Sequence, residues 1–100
     1  MDKHILVFGT STTYGAWDIE GGWVQRLRKY FDEKVMISNY QEIVLVYNLG
    51  VSGDKSKDIL RRFEEETKSR LGHDEKNEII VLFHLGVNDC IYNENLGGLE

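Results

Sequence analysis

Three short apolar runs constrain this chain most: "HILVF" at residues 4–8, "EIVLVYNLG" at 42–50 and "EIIVLFHLG" at 78–86. Each is continuous rather than alternating, rich in β-branched and aromatic residues, and followed within a few positions by glycine. Strands covered on both faces have this composition, as in a parallel sheet. Between the first two lies "GGWVQRLRKYFDEK", with Trp23, Val24, Leu27, Tyr30 and Phe31 on one helical face. Between the second and third lies "DKSKDILRRFEEETKSRLG", with Ile59, Leu60, Phe63, Thr67 and Leu71 on one side and charges on the other. Asp54 and Ser56 are candidate N-caps for this second helix, and Gly72 is its stop signal. Strand, helix, strand, helix, strand makes two consecutive crossover units, hence a parallel α/β layer sandwich.

The 100 residues suit one small domain. After Asp89 the remaining "CIYNENLGGLE" is too short for another helix and strand. The sheet is therefore expected to look truncated after its third strand, with an uncovered edge that could pair or swap with a second copy in a homodimer. Twelve basic against 17 acidic residues give a net charge of −5 with no isolated Lys/Arg cluster, so neither nucleic acid nor an anionic membrane is expected as a partner. The apolar runs are too short to cross a bilayer and the first residues do not form a signal peptide, which predicts a cytoplasmic chain. Cys90 is the single cysteine, expected to pack as a small hydrophobe, and His4, His73 and His84 lack zinc-ligand spacing. No metal and no cofactor are expected.

Ligands of parallel α/β sheets gather beyond the carboxyl ends of the strands. The loops there are "GTSTTYGAWD", "NLGVSGDKS" and "LGVNDCIYNEN". Acyl transfer needs a hydroxyl nucleophile, a base, and donors aimed at the developing oxyanion. Ser11 supplies the hydroxyl; its own N–H, the Gly53 N–H and the Asn88 side-chain amide could supply the donors. The same residues are also ordinary turn formers and N-caps. Asp89 is assigned a structural role. Tyr14, Trp17 and Trp23 either line an acyl pocket or pack as core and loop anchors. "RRFEEETKSR" has the pattern of a solvated helix face with i,i+4 pairs. A phosphate- or nucleotide-binding module is the alternative class, but neither the Walker pattern nor Gly-x-Gly-x-x-Gly occurs.

Three blocks in order carry a resemblance. "FGTSTTYG" resembles the first block of the GDSL, or SGNH, hydrolases, "NLGVSGD" the second with its oxyanion glycine, and "LGVND" the third with its oxyanion asparagine. The resemblance implies a flavodoxin-like three-layer sandwich whose first strand lies between the second and third. Residues 1–100 would then be the N-terminal portion of a single SGNH hydrolase domain. It further implies Ser11 as nucleophile, Gly53 and Asn88 as oxyanion donors, and hydrolysis of a small-molecule ester through an acyl-serine, without cofactor or metal.

Two positions depart from the family pattern. Thr10 stands where aspartate usually precedes the nucleophile, and no Asp-x-x-His, the family's base and its orienting acid, occurs in the sequence. His84 lies inside the third strand with its side chain toward a sheet face, while His73 and His4 fall at the opposite end of the layer. None is expected to serve as the base. A serine hydrolase stripped of a triad member keeps only about 10³ to 10⁴-fold catalysis over water. The chain alone is thus expected to be nearly inactive, either completed by a C-terminal segment or persisting as a non-catalytic binding remnant.

Overall fold

The computed structural model describes residues 2–71, 76–85, 88–90, 92–93 and 98–99. Its elements are β1 (Lys3–Gly9), α1 (Ser11–Tyr14), α2 (Trp23–Ile37), β2 (Val44–Gly50), α3 (Ser56–Arg70), β3 (Glu78–His84), a 3-10 turn (Asn88–Cys90), and two-residue strands β4 (Tyr92–Asn93) and β5 (Gly98–Leu99). The three long strands form one parallel sheet in the order β2-β1-β3. The flavodoxin-like arrangement expected of this chain is therefore present, with β1 at the centre. The short β4–β5 antiparallel pair had no counterpart in the sequence expectations.

The continuous apolar run of β1 is explained by cover on both faces, whereas the runs of the flanking strands are covered only in part, with Leu45, Leu82 and Phe83 exposed. Ile5, Val7 and Val46 meet Val24 of α2, with Trp23, Leu27, Phe31 and Ile80 packed around them. On the other face Leu6, Phe8 and Leu49 meet Ile59 of α3, with Tyr47, Phe63, Ile79 and Val81 around them. Central β1 thus loses its apolar surface to both layers, and Leu6, Val7 and Phe8 are fully buried. Phe8, Phe63 and Phe83 form an aromatic trio with centroids 5.1 to 5.8 Å apart.

Two helical positions differ from expectation. Tyr30 is half exposed, beside Phe31 and under the Lys34 ammonium, because the α2 face that reaches the sheet is narrower than its apolar stripe. Leu60, expected on the buried side of α3, is 78% exposed. With Ile59, Phe63, Phe83 and Leu85 it lines an open groove of about 630 Å³ between α3 and β3. Beyond β3 no further strand joins the sheet among the described residues, so nothing there closes this face.

The start of α3 also differs. Neither Asp54 nor Ser56 occupies the N-cap; Lys55 does, and its N–H donates to the Asp58 carboxylate at 2.9 Å. The Ser56 N–H, at the first helical position, is satisfied from 33 residues away by Asp89. The stop signal at Gly72 lies outside the described residues, as does His73. At the far end of the sheet His4 is buried, its Nδ1 donating to the Arg70 carbonyl at 2.9 Å and its ring stacked on Tyr47. His4 caps the end of α3, which is where its early position in β1 had placed it.

Candidate active site

Sheet order dictates where a site can form. With β1 flanked by β2 and β3, the chain leaves the central strand toward α2 on one face and returns toward α3 on the other, opening a crevice at the carboxyl ends. Gly9 ends β1 in register with Gly50 of β2 and His84 of β3. The Gly9 carbonyl accepts one more ladder bond, from the Val51 N–H at 3.1 Å. All three loops therefore depart from one level.

Ser11 is the first residue of α1 and is half-buried. Its carbonyl accepts from the N–H groups of Gly15 and Ala16, at 2.9 and 3.0 Å, which turns the chain sharply through left-handed Gly15. The Ser11 hydroxyl has no hydrogen-bond partner among the described residues. Its N–H, at the first helical position, is one of those a helix leaves without an internal acceptor. Thr10 precedes it at the N-cap, buried, and makes no side-chain cap bond.

What holds α1 on the strand ends is Thr13, fully buried. Its carbonyl accepts from Asn48 Nδ2 at 2.8 Å, and its Oγ1 lies 3.2 Å from His84 Nδ1. Asn48 Oδ1 in turn accepts from the Gly50 N–H at 2.9 Å. Glycine is needed at two strand ends for this seat. A Cβ on Gly50 would overlap the Tyr14 N and the Thr13 carbonyl carbon, and one on Gly9 the Thr13 side chain and the His84 carbonyl.

Gly53 stands at the third position of a tight turn, Val51 to Asp54, closed by Asp54 N–H to Val51 C=O at 3.2 Å. Its φ of +86° is the left-handed value a type II turn demands at that position. Among the described residues no atom lies within 4 Å of where a Cβ would stand, so the glycine is required here by backbone conformation rather than by space. Asn88 opens the 3-10 turn after β3, and its Nδ2 donates to the Asp54 carbonyl at 2.9 Å. The structure thus brings Asn88 to the Gly53–Asp54 turn, with Ser11 beyond the end of neighbouring β1. No hydrogen bond joins Ser11 to either residue among the described residues.

Asp89 is tied into this architecture. Both carboxylate oxygens accept from the Ser56 N–H at 3.1 Å, and Oδ1 also accepts from the Ser56 hydroxyl at 2.7 Å. The Ser56 hydroxyl, then the Ser56 N–H, hold its carboxyl below the usual aspartate range, with Lys55 contributing. A carboxyl depressed on folding stabilises the fold above its unfolded value, near pH 4, and that contribution is lost as pH falls through the folded value. The urea midpoint of the native chain should therefore exceed that of Asp89→Asn at neutral pH, and the two should converge below about pH 4. A constant gap down to acid pH would remove the carboxylate from this role.

Two features escaped the sequence. Arg62, within the stretch expected to be solvated, turns inward: its side chain is only 19% exposed. It donates to Asp54 Oδ2 at 2.9 Å, to Glu66, and to the Leu49 carbonyl at 2.8 Å, and lies over the Phe8 ring. The i,i+4 array Asp54, Asp58, Arg62, Glu66 was the available signal. Asn48 is the other, and no local pattern distinguishes it from a turn former. Of the aromatics, Trp23 packs at the core rim, while Tyr14 and Trp17 are exposed, Trp17 with a left-handed φ of 64°. Asp18 secures that loop, accepting from the Glu20 N–H and pairing with Arg26 at 3.0 Å. The Arg26 and Glu20 hydrogen bonds, in that order, lower its carboxyl below the usual range.

Among the described residues no group of three or more His, Cys, Asp or Glu could hold a metal ion, and no helix is long and apolar enough to cross a membrane.

A three-stranded parallel sheet in the order β2-β1-β3, with serine, glycine and asparagine following successive strands, defines an α/β protein of the flavodoxin-like, SGNH-hydrolase type. The model of the GDSL-like lipase/acylhydrolase family matches residues 5–98, and the chain belongs to that family. No curated protein matches it. Ester hydrolysis is accordingly the general chemistry of its family.

Proposed function

We propose that this chain carries the nucleophile and oxyanion half of a serine esterase that cleaves small-molecule carboxylic esters. The observation that carries the reading is the half-buried Ser11, its hydroxyl without a partner among the described residues, on a turn fixed at the carboxyl end of the central strand. Ser11 Oγ attacks the ester carbonyl carbon while a base takes its proton. The oxyanion is met by the N–H groups of Ser11 and Gly53 and by the Asn88 amide, whose Nδ2 retains a second hydrogen beyond the one given to Asp54. Collapse expels the alcohol, which leaves with the proton, and water then hydrolyses the acyl-serine.

The base is the part this sequence does not hold, since no Asp-x-x-His occurs in it. His84 is turned to Thr13 and Trp23 instead, and His4 is committed to Arg70. The base and its acid therefore come from a complementing segment, and a chain tested alone is nearly inactive. The same segment, or a second copy, would cover the open β3 edge.

Prolonged treatment with a fluorophosphonate tests this reading. A single adduct on Ser11, lost in Ser11→Ala and forming faster when a family segment bearing Asp-x-x-His is supplied in trans, is the expected result. Removing a triad member costs about 10⁴ to 10⁶-fold in the best-studied serine hydrolases, so the gain on complementation should be large. Modification spread evenly over Ser38, Ser52, Ser56 and Ser69, or unchanged by Ser11→Ala, would sink it.

A further inference from the structure

His84 has a hydrogen-bond pattern that fixes its protonation and links three elements. It ends β3 on the sheet face that α2 covers, and its ring meets Trp23 edge-on with centroids 5.6 Å apart. Trp23 Nε1 lies 3.3 Å from His84 Nδ1. An indole N–H can only donate, so Nδ1 is the unprotonated, accepting nitrogen. The Thr13 hydroxyl, 3.2 Å from the same Nδ1, must then donate as well. With Nδ1 accepting, the ring proton is placed on Nε2. None of the ion pairs among the described residues involves this ring.

We propose that His84 is a positioning residue for the Ser11 turn: its neutral imidazole, gripping Thr13 and Trp23 through one nitrogen, fixes α1 against β3 and α2. Thr13 lies two residues after Ser11 in the same short helix, and its other end is held by Asn48 of β2. With only four residues, α1 has too few internal bonds to hold its own geometry. Its placement therefore depends on these two side-chain clamps, one from each flanking strand. Asparagine at position 84 can present an accepting oxygen near the place of Nδ1, whereas alanine cannot.

The significance for catalysis rests on Ser11 being the nucleophile, so the test separates the clamp from that reading. In the full ¹⁵N-labelled chain, the His84 ring should show Nδ1 as the accepting and Nε2 as the protonated nitrogen. The Tyr14 N–H, which donates to the Thr10 carbonyl at 2.9 Å, reports closure of the turn. Loss of the clamp in His84→Ala should speed its hydrogen exchange on the order of tenfold, and Thr13→Val should do the same. His84→Asn should return exchange to within about twofold of the native rate, because one neutral acceptor replaces another.

Amides near His4 serve as the control that each variant is folded. Protonated Nδ1, native exchange in His84→Ala, or failure of asparagine to rescue a folded chain would each overturn the clamp. Fluorophosphonate labelling then reads the consequence for Ser11, with an expected fall of up to about 10²-fold in His84→Ala. An unchanged labelling rate overturns the positioning role. Absence of Ser11 labelling in every form, with the exchange pattern as expected, instead overturns Ser11 as the nucleophile and leaves the clamp in place.

Discussion

Phe8→Ala is expected to remove about 3–5 kcal/mol from a total stability on the order of 5–15 kcal/mol, leaving the chain close to its unfolding transition. Phe8 is wholly buried in the central strand, on the face that α3 covers. Its ring packs against Phe63 of α3 at 5.1 Å and Phe83 of β3 at 5.7 Å, and the Arg62 guanidinium lies over it. Truncation therefore opens a cavity that three neighbours line but none can fill, since α3 is pinned at one end by Asp89 and at the other by His4. Urea unfolding monitored by far-UV circular dichroism measures the loss. A change below about 1 kcal/mol would mean that the aromatic trio is not packed as described.

Gly9→Ala should act on the site more than on the core. A methyl group there would overlap the Thr13 hydroxyl, approach the Thr13 Cβ at 2.6 Å and approach the His84 carbonyl oxygen at 2.7 Å. The carbonyl belongs to strand backbone locked in the β1–β3 register and cannot yield. Thr13 must move instead, taking α1 and Ser11 with it. The expected cost is about 1–3 kcal/mol, as for other overpacked sites. The distinguishing result is local: amide shifts and exchange rates of residues 11–15 should change while those around Val24 and Ile59 stay native. Global loss of the spectrum without this local pattern would place the strain elsewhere. Together with Gly50, which would meet Tyr14 in the same way, Gly9 explains why glycine closes both strands under the Ser11 turn.

The parts of this protein legible in sequence are those whose physical cause is local. Continuous β-branched runs specified parallel strands, and in central β1 both faces meet apolar cover, with burial from His4 to Gly9. Period-3.6 stripes specified α2 and α3, with Val24 and Ile59 their buried centres. Gly53 was legible because a tight turn demands a positive φ that other residues resist. The order of the three blocks indicated the family, and placing Ser11, Gly53 and Asn88 after successive strands needed only their spacing.

Tertiary structure decided what depends on residues distant in sequence. Leu60 shares the apolar stripe of α3, yet its exposure follows from how far the sheet extends beyond β3, which helical periodicity cannot encode. Lys55, not the local candidates Asp54 and Ser56, is the N-cap of α3, and the Ser56 N–H at its first position is satisfied by Asp89, 33 residues away. Arg62 lies inside because two carboxylates and a strand carbonyl compensate its desolvation, a grouping that exists only once α3 lies on β2. The clamp of His84 on Thr13 and Trp23 spans 71 and 61 residues. A side chain's burial and partners are properties of the assembled layers, whereas periodicity and turn chemistry act within a few residues; by itself the sequence determined the strands, helices and turns, and only their packing decided which polar groups position Ser11.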